Sequence, residues 1–259
     1  MKRFKILMAA FVLTSVCFSV NAQVKKTGST KTKTVATAST TKTATHTTVS
    51  PAKPVAPVKA DITNAATIRV KIITDSGTMI IKLYDSTPLH RDNFVKLVQQ
   101  GFYDSLLFHR IIPGFMIQGG DPTSKNAPAG VMLGSGGSDM ERIPAEFNPA
   151  IIHKRGALCA ARDGNPQRAS SACQFYIVHG RPLSEIELNN YDGSRTTKYT
   201  SEQKAIYKTQ GGTPMLDMNY TVFGEVESGM EVIDKIANAA RNPQDRPNTD
   251  IRMHMEMIK

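Results

Sequence analysis

Phe108-His109-Arg110-Ile111-Ile112-Pro113-Gly114-Phe115-Met116-Ile117-Gln118-Gly119-Gly120-Asp121 is two short apolar runs joined by a turn dipeptide. Pro113 fixes φ and Gly114 tolerates positive φ, so the pair reads as a tight turn. Phe108 to Ile112 and Phe115 to Gln118 are rich in aromatic and branched side chains and read as paired strands. Gly119-Gly120 ends the second. The informative residues are the polar ones in this apolar setting, Arg110 and Gln118. A guanidinium among aromatics is costly to desolvate and is placed there to meet something.

Working outward, Ile68 to Ile72 alternates at period two and reads as a strand. Asp75-Ser76-Gly77 is a hairpin turn, with Thr78 to Tyr84 as the partner strand. Ser86-Thr87-Pro88 starts a helix with Phe94, Leu97 and Val98 on its apolar face and Gly101 at its end. Pro122 to Ile143 is a Gly/Ser-rich segment carrying Gly134-Ser135-Gly136-Gly137. No helix with a Lys or Ser/Thr at phosphate-loop spacing follows, so it reads as a surface loop. Gly156 to Ala161, Cys173 to Val178 and Thr221 to Val226 read as strands. Met230 to Ala239 is a helix with Val232, Ile233 and Ile236 on one face. Ile251, Met253, Met255 and Met257 alternate with polar residues in a last half-buried strand that pairs with the first. Many short strands with two helices indicate a mainly β fold, a closed antiparallel barrel capped by helices.

The 259 residues carry a formal charge of +10. Ten of the 32 basic residues, and none of the 22 acidic ones, lie in residues 1–60; residues 61–259 therefore hold 22 of each and are neutral. A nucleic-acid domain would carry its basic footprint on the folded part, so no nucleic acid is expected as partner. Lys2, Arg3 and Lys5, then the apolar run Ile6 to Val20, then Val20-Asn21-Ala22 have the order of a secretory signal. The run is short for a membrane span. Residues 1–22 are thus expected to be a signal peptide, with a mature start near Gln23 and a periplasmic location. Cys17 leaves a lipoprotein alternative, for which Thr14-Ser15-Val16 is a poor lead-in. Residues 23–60 are rich in Thr, Lys and Pro with almost no large apolar side chain, and read as a disordered linker. The linker is a solvated spacer or a basic tether to anionic surfaces. The globular domain is placed at 61–259.

The opening stretch resembles the signature of the cyclophilin-type peptidyl-prolyl cis-trans isomerases at nearly every position. Further matches run over Leu158 to Phe175 and Met215 to Gly224, and the resemblance spans about Ile68 to Lys259. It implies an eight-stranded barrel capped by two helices, and the activity of rotating X-Pro bonds in proline-containing polypeptides. By residue, it implies a catalytic role for Arg110, with Gln118 orienting the Arg and contacting substrate. Phe115, Met116, Phe175 and Leu216 would form the apolar proline pocket. Ala161 and Arg162 would offer the strand edge that pairs with an extended substrate. Met215 stands where many members carry Trp, which implies weak cyclosporin binding. Tyr220 stands where many have His, and Arg162 where Asn is common.

The main departure is residues 181–214, a 34-residue insertion where the family has a short connection. Thr200 to Gln203 reads as a capping box opening a helix that ends at Gly211-Gly212. The insertion is expected to pack on the barrel beside the groove. It keeps a second reading alive, a non-catalytic peptide-binding or chaperone module on the same fold. Cys159 and Cys173 would form a disulfide or serve as separate small fillers; the family's small core residues at both positions favour the second. His109 alternates away from Arg110 and reads as facing structure or solvent. The His residues show no metal spacing, no cofactor or metal is implied, and the chain is read as a monomer.

Overall fold

The computed structural model describes residues 67–258. The signal peptide, Cys17 and the linker lie outside the described residues. Arg69–Thr74 (β1) and Gly77–Leu83 (β2) form the first hairpin, in register from Arg69 opposite Lys82 to Thr74 opposite Gly77. Val70, Ile72, Met79, Ile81 and Leu83 point inward, as the period-two pattern requires. Pro88–Gln99 (α1) follows. Thr87 makes no side-chain cap; the carboxylate of Glu146 instead accepts from the amides of Leu89 at 3.1 Å and His90 at 3.0 Å. An anion from a distant loop thus satisfies the helix's orphan donors.

Phe108–Ile112 (β3) and Met116–Gly119 (β4) form the second hairpin. Ala157–Ala160 (β5), Phe175–Val178 (β6) and Val222–Ser228 (β7) complete the middle of the sheet. The insertion supplies Glu185–Gly193 (α2) and Ser201–Thr209 (α3), where one helix was expected. Met230–Ala237 (α4) precedes Met253–Ile258 (β8). All eight strands lie in one antiparallel sheet, in the order β3-β4-β6-β5-β7-β2-β1-β8.

The sheet curls round until its edge strands meet: an antiparallel bridge, Leu107 opposite Arg252, joins the start of β3 to the start of β8. Chain on the way from α4 to β8 occupies the seam: the Ile111 amide donates to the Asp245 carbonyl at 2.8 Å. Beyond it the edges are tied by the amides of Ser105 to Met253 (2.9 Å), Met253 to Leu106 (2.9 Å) and Phe108 to Ile251 (3.0 Å). The core inside the curl takes Phe94, Leu97 and Val98 from α1 and Val232, Ile233 and Ile236 from α4.

Strands β5 and β6 are buried on both faces. Their inward residues join the core; the outward Ala157, Cys159, Tyr176 and Val178 join Met116 and Val222 in a second apolar cluster on the barrel's outer wall. A third cluster, Ile152, Leu183, Leu188, Tyr199 and Tyr207, seats the insertion. Cys159 and Cys173 are free, the first in the outer cluster and the second in the core.

Candidate active site

The outer cluster is where the sequence-singled residues meet. On β3, Ile111 turns into the core and Arg110 turns out; on β4, Gln118 lies directly across from Arg110. The tip between them is locked from outside the hairpin. The Gly114 amide donates to His179 Nδ1 at 2.7 Å, and the amides of His179 and Gly180 donate to the Phe115 carbonyl. Gly114 itself has φ +72°, the left-handed region a turn glycine supplies.

Arg110 Nη1 donates to Gln118 Oε1 at 3.5 Å, and its Nε lies 4.0 Å from Asp245. Its side chain is 44% exposed, so most of the guanidinium fork remains open to the groove. Gln118 Nε2 donates to Gln174 Oε1 at 3.1 Å. Gln174 Nε2 in turn donates to the carbonyls of Gly134 and Gly136, at 3.0 and 2.9 Å. The same loop is gripped by Asp121, whose carboxylate accepts from the amides of Thr123, Gly134 and Gly136. Burial alone would raise the Asp121 pKa; the Thr123 hydroxyl and these amides outweigh it and hold the carboxyl below its usual range. Arg110 is thus the free end of a chain of amides anchored in a fixed loop.

A cavity of about 110 Å³ is lined by Arg110, Gln118, Phe115, Met116, Ala161, Arg162, Leu216 and Tyr220. Eight of the ten residues singled out from sequence converge there. Two do not. Phe175 is 1% exposed in the core, edge-on to Phe94, Tyr103 and Phe108. The next residue on β6, Tyr176, turns outward and lines the groove instead. Met215 also lies elsewhere: it is 49% exposed and borders a separate cavity beside the insertion. Leu216, one position on, is the residue of the turn Pro214–Leu216 that reaches the groove.

Arg162 is largely committed. Its guanidinium lies 4.5 Å over the Tyr220 ring, and its Nε donates to the Asn219 carbonyl at 3.0 Å. That leaves Arg110 as the cation with donors to spare. Gln118, Ala161 and Arg162 also border a larger cavity of about 440 Å³, whose far wall is the Gly134 to Gly137 segment. The glycines expected as plain surface loop therefore continue the groove. Sequence reading assigned no role to Gln174 or Tyr176. A polar Gln next to an apolar strand was the available signal for the first. Among the described residues, no group of three or more His, Cys, Asp or Glu is placed to hold a metal.

The arrangement is a slot walled by Phe115, Met116, Leu216 and Tyr220 with one free, always-charged fork of donors at its rim. The strand edge expected at Ala161 is already taken, its amide by the Gln174 carbonyl and its carbonyl by the Ser171 amide. Such a slot can take a ring and aim a hydrogen bond at an atom next to it.

Residues 69–257 match the model of the family described as cyclophilin type peptidyl-prolyl cis-trans isomerase/CLD. The chain belongs to this family. It is 34% identical over 185 residues to a putative peptidyl-prolyl cis-trans isomerase of Staphylococcus aureus, covering 71% of this chain and 88% of that protein. It is 36% identical over 196 residues to a putative bifunctional phosphatase/peptidyl-prolyl cis-trans isomerase of Streptococcus pyogenes. That match covers 74% of this chain and only 38% of the streptococcal protein's length. Among solved structures, a cyclophilin type isomerase of Cryptosporidium parvum superposes with TM-score 0.54 at 23% identity, covering 74% of this chain and 98% of that one. The last likeness shows the fold.

Proposed function

We propose that this groove rotates X-Pro peptide bonds of polypeptide substrates without covalent chemistry, with Arg110 as the donor to the prolyl nitrogen. The barrier to rotation, about 18–20 kcal/mol, comes from amide resonance. As the bond twists, the nitrogen lone pair is released and becomes a hydrogen-bond acceptor that the planar ground state lacks. A guanidinium donating to it binds the twisted state more strongly than the planar one, which is what lowers a barrier. Four decades of acceleration require about 5.5 kcal/mol. A charge-assisted hydrogen bond at the rim of the slot, with the proline ring held against its apolar wall, is of that order.

The observation carrying this reading is the cross-strand pair Arg110 and Gln118, with the open fork at the rim of a slot walled by Phe115, Met116, Leu216 and Tyr220. Gln118, held by Gln174, orients the fork. Arg110→Ala in the full chain is expected to cut turnover of an Ala-Pro peptide on the order of a hundredfold while the thermal melt stays put. Unchanged turnover contradicts the role of Arg110. In the non-catalytic alternative the insertion covers or reshapes the groove; that the residues lining the slot come from outside 181–214 supports the catalytic reading over coverage.

The order of charge and apolarity in residues 1–22 supports export to a periplasm, where a monomer of this kind would assist folding of other proteins. An intact-mass measurement of the exported chain reads this: a start near Gln23 is expected, and a start at Met1 contradicts it. Among the described residues, no helix is long and apolar enough to cross a membrane.

A further inference from the structure

Behind the groove wall lies a line of buried polar groups that the isomerase chemistry leaves unused. Tyr176 shows its ring to the slot, edge-on to Tyr220 at 5.9 Å, and sends its hydroxyl backwards. That hydroxyl is 3.1 Å from His153 Nε2, and the two rings lie nearly parallel at 14°. On the other side of the imidazole, Nδ1 is 2.7 Å from Asp217 Oδ1, which also accepts the His153 amide at 2.8 Å. The second carboxylate oxygen accepts the hydroxyls of Tyr199 at 2.5 Å and Tyr207 at 2.7 Å. Both tyrosines belong to the 181–214 insertion. Arg195, also from the insertion, stacks 4.0 Å over Tyr199 with Nη1 3.6 Å from the same oxygen. His153, Asp217, Tyr176, Tyr199 and Tyr207 are all more than nine-tenths buried.

The proton positions follow from the acceptors. Burial would raise the Asp217 pKa, but His153 and the two phenols outweigh it, so the group is a carboxylate and can only accept. His153 therefore carries a proton on Nδ1. Its Nε2 faces the Tyr176 hydroxyl at 3.1 Å, so the ring bridges the carboxylate and the groove wall. A buried ring tied at its far end has little rotamer freedom. Asp217 sits beside Leu216 in sequence, but its carboxylate contacts run to His153, Tyr199, Tyr207 and Arg195, so its reach into the slot is through His153 and Tyr176.

We propose that Asp217 and His153 are positioning residues through which the insertion sets the Tyr176 wall of the proline slot and hence the affinity for substrate. The inference rests on the slot being the substrate site. The extra 34 residues then do not cover the groove or read a separate partner; they stiffen it from behind.

A double-mutant cycle on the full chain tests this, with a tetrapeptide containing one Ala-Pro bond as probe, reading its Kd by titration and its catalysed exchange rate by NMR. His153→Phe removes both ring nitrogens and keeps the ring. Tyr207→Phe removes one distant donor and carries the same test if the first variant fails to fold. Each is expected to weaken peptide binding about fivefold with the bound-state exchange rate within twofold of wild type. In the Tyr176→Phe background neither is expected to weaken binding further, because the hydroxyl through which they act is gone. Unchanged Kd in folded Tyr207→Phe overturns the proposal, as does an equal loss in both backgrounds. Absence of exchange in wild type with peptide bound would instead defeat the isomerase reading and leave the Kd cycle to decide this one.

Discussion

His109 and Arg110 are neighbours with opposite environments. Arg110 faces the slot; His109 is 3% exposed, and neither of its ring nitrogens has a hydrogen-bond partner. Burial pushes its pKa down to about 4, against a smaller upward pull from Asp121. In the unfolded chain the ring titrates near 6.5, so as pH falls the unfolded state takes up the proton first. Stability is therefore full above about pH 6.5 and declines as pH drops toward 4, by about 3 kcal/mol from this residue. His90 and His179, also lowered chiefly by burial, act in the same direction. Urea unfolding at pH 7 and 4.5 checks it: His109→Phe should lose markedly less stability between the two than wild type. An equal loss would place the pH dependence elsewhere. At this scale Arg110, Gln118 and Phe115 were legible, because a polar or aromatic residue at a fixed place in a Pro-Gly hairpin has one phase. Phe175 was not. Phe175 to Val178 is apolar on both faces of a doubly buried strand, so period two gives no phase, and the ring facing the slot is that of Tyr176.

Among the elements, β1, β8 and the two capping helices follow from periodicity, and Phe94, Leu97, Val98, Val232, Ile233 and Ile236 are buried as their spacing implies. In the insertion the same signal was read once and missed once. The capping box at Thr200 and Gln203 announces α3, and it forms. Ser184 and Glu187 make the same reciprocal pair at the start of α2. That helix lacks an apolar stripe, since Leu188 alone is buried, and Asn-Asn-Tyr-Asp-Gly is a poor helical run. With so little packing, α2 leans on its cap. Ser184→Ala should therefore cost about 1 kcal/mol in equilibrium unfolding, and no change would mean that the helix is held by other contacts. The way the 238–252 connection lies along β3, with the Ile111 amide on the Asp245 carbonyl, could not be read either, because no periodic pattern marks it.

For the whole molecule, one sheet serves two apolar faces. The inner face is closed by α1 and α4; the outer face is left open over β4, β5 and β6, and that opening is the slot. An interior core fixes the backbone to which Arg110, Gln118 and Tyr176 belong, so the groove needs no lid to be formed. The insertion seats on its own cluster behind the wall, an arrangement that a single sequence with no partner residues marked could place only as beside the groove. The role proposed for Arg110 is to act on the twisted bond rather than to hold the bound peptide. Exchange NMR on an Ala-Pro tetrapeptide with wild type and Arg110→Ala reads affinity and bound-state exchange rate from one sample. A rate loss on the order of a hundredfold is expected, with Kd changed less than about threefold. A variant that binds weakly yet exchanges bound peptide at the wild-type rate would show that Arg110 only holds substrate, and would contradict it.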